Sequence, residues 1–338
     1  MKNSLMIGDV LVSPPVLSAP MAGYTNYAYR ELLRRLGGVG LIATEMVSAR
    51  AFAYMGERGD EQPARLWGVA DEPRPLAVQI WDNCPETLEE LAGTLARDFN
   101  VSVIDLNFGC PAPAIAKRSA SGSYLLRDPN KVGELVGRVA RACAPKPATA
   151  KIRLGLTADT INARDVAQAV EGAGGAALTT HGRTARQMYS GRADWDEIAK
   201  VKDALARIPL IGNGDVTTAT EAVERLTNYP VDGVMIGRGA LDRPWIFREI
   251  SQLLRGEEPD PAPTLLEQRD LLLTHYALVV ERFGVERAVT LMRKFACHYS
   301  KGRPGGRNFR DKVCRVQSEE EFFAVVANEF VVEEPETP

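Results

Sequence analysis

Cysteine is scarce in this chain of 338 residues: its five copies, Cys84, Cys110, Cys143, Cys297 and Cys314, lie far apart. No two form a C-x-x-C pair, and no spacing is of the zinc type. An odd, scattered set argues against a disulfide framework and a metal cluster, so no metal is expected. At most one reactive thiol is expected among packed ones. Long apolar runs are also missing. None reaches the roughly 18 residues of a membrane span, and Gly8-Asp9 breaks the short run Leu5-Met6-Ile7 that follows Met1-Lys2-Asn3-Ser4. The expectation is a cytoplasmic protein with no membrane partner. Nor is there an excess of charge of one sign: the net charge of −3 by itself disfavours a nucleic-acid partner.

What is present is a repeating texture. Short apolar runs occur at Val16–Pro20, Leu41–Glu45, Leu76–Ile80, Val103–Asn107, Thr149–Arg153, Ala177–His181, Leu210–Asn213 and Val234–Gly237. Amphipathic stretches separate them: Ala28–Leu36, Pro85–Asp98, Pro129–Ala142, Ala163–Gly172, Trp195–Ala206 and Thr217–Leu226. Within the last, Thr217-Thr218-Ala219-Thr220-Glu221 fits a capped helix start. Strand alternating with helix implies a parallel sheet. Eight such units predict an α/β fold closed as a (β/α)8 TIM barrel, which needs roughly 250 residues, rather than an open doubly wound sheet. Polar residues crowd the C-terminal ends of the runs: Glu45, Gln79, Asn107, Lys151, Arg153, His181, Asn213, Asp215 and Arg238. Such barrels place their active sites at that edge.

Beyond Trp245-Ile246-Phe247 the texture changes. The predicted division is a barrel over 1–250, a Pro-rich linker over 251–263 and a small all-helical domain over 264–338, with helices at Leu265–Arg282, Val285–Tyr299 and Asp311–Ala327. The acidic end Glu333-Glu334-Pro335-Glu336 is expected to fray.

Four constellations carry chemistry. Ile211-Gly212-Asn213-Gly214-Asp215 and Ile236-Gly237-Arg238-Gly239 follow the last two strands, where barrels often bind phosphate. Glycine admits a ligand close to backbone N–H groups, and Arg238 adds a bidentate donor. The plainer reading is two tight turns. Lys151, with Arg153, offers positive charge in mid-barrel, or else pairs with Asp105 or Glu45. Gln79 can donate and accept, which suits the edge of a planar heterocycle, or else a strand-end hydrogen bond. His181 either bonds a cofactor or packs as a core histidine. In Asn107-Phe108-Gly109-Cys110-Pro111, a Gly–Cys–Pro turn aims Cys110 at the barrel mouth, where a thiol can donate a proton or act as a nucleophile. Asn107 orients a substrate or caps the turn. Finally Arg293, Lys294, Lys301, Arg303, Arg307, Arg310, Lys312 and Arg315 share one segment opposed only by Asp311, with Tyr299 and Phe309 interleaved. Cations neutralise phosphates and aromatics stack on unpaired bases, although many charge runs are only solvated faces.

At this point the chain resembles the tRNA-dihydrouridine synthases. The matching motifs run in order from Ala19-Pro20-Met21-Ala22-Gly23-Tyr24-Thr25 through Thr44-Glu45-Met46, Val78-Gln79-Ile80, the Asn107–Pro111 loop, Lys151-Ile152-Arg153, His181-Gly182-Arg183-Thr184 and Asn213-Gly214-Asp215 to Ile236-Gly237-Arg238-Gly239. The tail, with Arg293-Lys294 and Asn308-Phe309-Arg310, is similar to the helical tRNA-binding domain of the bacterial B-type branch. The resemblance implies FMN as cofactor, with NADPH or NADH as transient reductant. It assigns Pro20, Met21, Ala22, Gln79, Lys151 and His181 to the flavin ring and ribityl chain. Asn213, Gly214, Asp215, Gly237 and Arg238 are assigned to its phosphate. It implies hydride transfer to C6 of a flipped-out D-loop uridine and protonation of C5 by Cys110. Asn107, Arg183, Arg293, Lys294, Arg307 and Arg310 are the expected substrate and tRNA contacts.

Two other functions fit less of the chain. A barrel flavoenzyme acting on a free pyrimidine has no evident use for a basic helical extension. A tRNA-binding module that has lost catalysis has no need of Cys110, Lys151 and the phosphate loops together.

Overall fold

The computed structural model describes residues 3–59, 63–302 and 305–330. A hairpin of β1 (Leu5–Ile7) and β2 (Val10–Val12) precedes nine parallel-paired segments: β3 (Val16–Ser18), β4 (Ile42–Ala43), β5 (Val47–Ser48), β6 (Leu76–Trp81), β7 (Val103–Phe108), β8 (Ala148–Arg153), β9 (Ala177–His181), β10 (Leu210–Asn213) and β11 (Gly233–Ile236). The order β3-β11-β10-β9-β8-β7-β6-β4, with a parallel bridge from Leu17 to Leu41, closes the sheet into an eight-stranded barrel. The predicted second strand is interrupted. After Ala43 the chain bulges, the Thr44 hydroxyl accepts the Gln79 N–H at 3.3 Å, and pairing with β6 resumes at Val47.

Period-two alternation sorts the residues of each strand. Ile104, Leu106, Phe108, Ala150 and Ile152 join the outer core beneath the ring of helices. Leu17, Leu41, Ala77, Val103, Ala177, Ile211 and Met235 face inward as one small apolar cluster, closed from below by Leu5, Ile7 and Val12 of the hairpin. The inward positions further along the same strands are polar, so the barrel is dry at its N-terminal end and polar at its mouth.

Helices follow the strands at Tyr27–Leu36, Ala49–Arg58, Pro85–Arg97, Pro129–Ala142, Ala163–Gly172, Trp195–Lys202 and Ala219–Asn228. The last begins at the expected cap: the Thr218 side chain accepts the Glu221 N–H while Glu221 returns a bond to the Thr218 N–H. The helix Ile246–Leu254 buries Ile246, Phe247, Ile250 and Leu254 and runs past position 250.

The C-terminal region is helical: Leu265–Phe283, Val285–Tyr299, Gly306–Val313 and Glu319–Glu329. The single helix expected from Asp311 is two. Val316 turns into the core, and Ser318 caps a new helix by accepting the Glu321 N–H at 3.2 Å. Phe295 joins this region to the barrel, with its ring 5.5 Å from Tyr24, 5.6 Å from Tyr29 and 4.4 Å from His275. Burial of such a side chain contributes about 1.5–3 kcal/mol. No helix among the described residues is long and apolar enough to cross a membrane. Arg303 and Glu333–Glu336 lie outside the described residues.

One buried ion pair ties the first ring helix to the turn before β6. Arg30 donates to both Glu72 oxygens and, at 2.7 Å, to the Thr25 carbonyl, while Arg34 reaches Glu72 at 2.6 Å. Removing one member leaves a buried charge unpaired. Glu72→Ala is therefore expected to cost about 3–5 kcal/mol in denaturant unfolding, and Arg30→Met with Glu72→Met much less. Equal costs would show that burial of the charge is not the issue.

Candidate active site

The thiol loop is built by the last-but-one residue of β7. Asn107 Oδ1 accepts the N–H groups of Gly109 at 3.0 Å and Cys110 at 2.9 Å, an Asx turn that folds the chain sharply. Arg153 Nε donates to the Gly109 carbonyl at 2.9 Å, and Ser123 N–H donates to the Cys110 carbonyl at 3.0 Å. Gly122, at φ +58°, lies against this carbonyl; a Cβ there would stand 2.7 Å from its oxygen. Burial pushes the Cys110 thiol above its ordinary range, against the Ala112 N–H and the charges of Arg153 and Lys151. The thiol therefore keeps its proton at neutral pH, the state an acid needs and a nucleophile does not.

Across the mouth, Lys151 Nζ donates to Asn213 Oδ1 at 2.9 Å, and Asn213 Nδ2 donates to the Met235 carbonyl at 2.8 Å. Burial and the neighbouring Arg153 lower Lys151 to about 8. Neither Lys151 nor Arg153 pairs with Asp105 or Glu45; Arg153 donates to the carbonyls of Gly109, Thr184 and Met188. His181 is held neutral by burial and then by Lys151, Arg153, Arg183 and Arg238. Gly214 (φ +129°) passes beneath it: a Cβ would meet Ala193 at 2.5 Å and the His181 ring at 3.0 Å.

The two anion loops meet. Gly239 packs on the Val216 carbonyl, and a Cβ on Gly237 would stand 3.5 Å from the Ala19 and Met21 side chains. The Asp215 carboxylate is already engaged. It accepts from Arg183 and from the Ala193 N–H, both at 2.7 Å, with Arg238 at 3.5 Å. What these loops can offer an anion is backbone N–H and the half-exposed Arg238, whose guanidinium also lies 4.6 Å from the Tyr189 ring.

The Pro20–Ala22 loop forms the remaining wall. Met21 N–H donates to Thr25 Oγ1 at 3.0 Å, Gly23 N–H donates to Glu45, and the Gly23 carbonyl accepts from Lys294 of the helical region. His298 holds Asp242 at 2.7 Å and approaches the Tyr24 hydroxyl at 3.5 Å.

The expected site residues thus converge, except for some of the cations. Arg183 is buried and spends its guanidinium on Asp215, Ser190 and Gly191, bracing the 184–193 loop. Lys294 faces the barrel. Arg307 is exposed, Arg293 donates to Gln317 at 3.1 Å, and half-buried Arg310 reaches Ser300 at 3.5 Å. Sequence reasoning missed Gly122 and Tyr189. Gly122 carries no local signal, because its neighbour Cys110 is distant in sequence. Tyr189, an aromatic in a polar loop between Arg186 and Arg192, was a signal to follow.

The chain matches the dihydrouridine synthase family over residues 17–334. It belongs to that family. A probable tRNA-dihydrouridine synthase of Rickettsia bellii is 37% identical over 309 residues, covering 91% of this chain and 92% of that one. The tRNA-dihydrouridine synthase B of Pseudomonas aeruginosa is 38% identical over 312 residues, covering 92% and 91%. Among solved structures, a variant of NCR from Zymomonas mobilis has a TM-score of 0.55 at 14% identity over 84% of this chain and 97% of that one. Histamine dehydrogenase from Rhizobium sp. 4-9 has 0.56 at 13% identity over 82% and 50%. These two likenesses are of fold. For this dihydrouridine synthase, site-resolved alkylation of Cys110 by iodoacetamide is expected to reach half its maximal rate above the ordinary thiol value of about 8.5. A midpoint below that value would mean an activated thiolate, and the role of acid would be wrong.

Proposed function

We propose that this dihydrouridine synthase reduces the C5=C6 bond of a D-loop uridine in tRNA to 5,6-dihydrouridine, with Cys110 as the proton donor to C5. The observation that carries the reading is the place and state of that thiol: it stands at the barrel mouth beside Lys151 and Arg153, with burial keeping it protonated.

The residues fit a flavin mononucleotide. Backbone N–H groups of the Asn213–Asp215 and Gly237-Arg238 loops would hold the phosphate, with half-exposed Arg238 as a further donor. Pro20, Met21, Ala22, Gln79, Lys151 and neutral His181 would line the ring and ribityl chain. FMN, reduced by NADPH or NADH, supplies the hydride for C6. Cys110 completes the addition: its S–H bond breaks as the C5–H bond forms, and the electron pair stays on sulfur. Arg153 and Lys151 stabilise the thiolate until it takes a proton from water.

A uridine must leave its stack to reach this depth. Exposed Arg307, with Arg293 and Arg310, would hold the tRNA backbone, so binding should weaken steeply with salt. Lys294 serves differently, fixing the Gly23 carbonyl so that the tRNA-binding helical domain and the catalytic barrel share one wall. A tRNA substrate puts the enzyme in the cytoplasm.

The decisive test is the dihydrouridine content of tRNA from cells lacking the gene, complemented with wild type or Cys110→Ala. Loss at a D-loop position, restored by wild type alone, is expected, with at least a 10²-fold fall in turnover for the flavin-loaded variant. Unchanged tRNA, with no other synthase covering that position, would favour a free pyrimidine as substrate. Lys151 adds a pH dependence. Its folded value is lowered to about 8, so the empty site holds the cation below that pH and loses it above. An anionic ligand restores the charge by taking up a proton. FMN affinity should therefore fall up to tenfold per pH unit above 8 and become flat in Lys151→Met; the same slope in both would remove Lys151 from the site.

A further inference from the structure

Asp105 is a buried carboxylate that the chemistry above does not use. It lies in mid-β7 and faces into the barrel two residues before Asn107. Its Oδ1 accepts from the Thr149 hydroxyl and its Oδ2 from Gln79 Nε2, both at 2.7 Å. Gln79 Oε1 accepts from Asn107 Nδ2 at 2.8 Å, and Asn107 Oδ1 accepts the N–H groups of Gly109 and Cys110. One unbroken chain of hydrogen bonds thus runs from Asp105 to the backbone of the thiol.

The direction of that chain is forced from both ends. Burial raises the Asp105 carboxyl from its ordinary value, against the hydrogen bonds of Thr149 and Gln79 and the charge of Lys151, and both of its oxygens accept, while the two peptide N–H groups at the other end only donate. Each amide between them offers one acceptor and one donor side of nearly equal size, and only one orientation of each satisfies both neighbours. Gln79 must turn its NH2 to Asp105, so Asn107 must turn its NH2 to Gln79 and its oxygen to the thiol loop. With both amides nearly inaccessible to water, a reversed one has no solvent to repair it.

We propose that Asp105 is a positioning residue for Cys110: it sets the polarity of the Gln79–Asn107 relay and so fixes the direction of the thiol loop. This inference rests on Cys110 being the proton donor. The Thr149 hydroxyl, able both to donate and to accept, is the one member that can reverse. Asparagine at 105 can therefore give its NH2 to Thr149 and keep its oxygen on Gln79. Leucine cannot.

The test compares flavin-loaded wild type, Asp105→Leu and Asp105→Asn by site-resolved alkylation of Cys110 against pH, together with kcat and KM for tRNA. In Asp105→Leu the loosened loop should admit water to the thiol and move its alkylation profile down by about one pH unit, a tenfold rate gain below the midpoint. kcat should fall at least tenfold with KM within about threefold. Asp105→Asn should restore both to within about threefold. An unchanged alkylation profile in Asp105→Leu, or an Asp105→Asn variant as impaired as Asp105→Leu, overturns the proposal, the latter because charge rather than hydrogen-bond direction would then matter. If Asp105→Leu does not fold, Gln79→Met severs the same relay one step on and must shift the Cys110 profile alike; a normal profile there overturns it equally. Alkylation needs no substrate, so a wild-type enzyme inactive on tRNA would sink the assigned reaction and leave this test standing.

Discussion

The polar side chains that fill the upper layers of the barrel are nearly all buried, and a buried polar group without a partner costs about 1–3 kcal/mol. That constraint organises the mouth. Lys151 is held by Asn213, Asn213 by Met235, Gln79 by Asp105 and Asn107, and Arg153 by three carbonyls. Satisfying these groups fixes their rotamers, and fixed rotamers are what a pre-organised site requires. The dry lower half makes this possible: the β1–β2 hairpin seals the apolar cluster below, so the polar layer opens to solvent at one end only.

Desolvation also sets the protonation states. Burial moves each group toward its neutral form: the Cys110 thiol up, Lys151 down, His181 down. The three shifts cooperate. A protonated thiol, a cation that an anionic ligand can recharge and a neutral imidazole together suit the proposed roles of anion binding and proton donation. The helical region takes part in its shape through Lys294, Phe295 and His298, which press on the Gly23–Tyr24 turn from outside the barrel. The helical region and the wall of the site thus share a boundary.

Much of this was legible in residue order alone. Eight apolar runs alternating with amphipathic stretches specify a parallel barrel, because each strand must be covered on its outer face, and polar residues at run ends mark the open edge. The Asn107–Pro111 loop was readable because an Asx turn, a glycine and a proline act locally. The cations were less so. Charge is visible in sequence, but its use depends on what stands opposite. Arg183 turned out to brace a loop through Asp215, and Lys294 to bond the barrel rather than face solvent. The break in the helix expected from Asp311 does carry a sequence mark, the S-x-x-E helix start Ser318-Glu319-Glu320-Glu321, while the burial of Val316 beside it depends on the tertiary fold.

What the sequence by itself determined is therefore the closed α/β architecture, the polar edge of the barrel and the thiol that stands there, since these follow from periodicity and from turns spanning a few residues. The tertiary structure alone decided which charges are free, which glycine supports the thiol and which way each amide points. Asp105, Gln79 and Cys110 come from two strands and a loop, and the direction of a hydrogen bond between them exists only when folding brings a carboxylate and two peptide N–H groups to opposite ends of one buried chain.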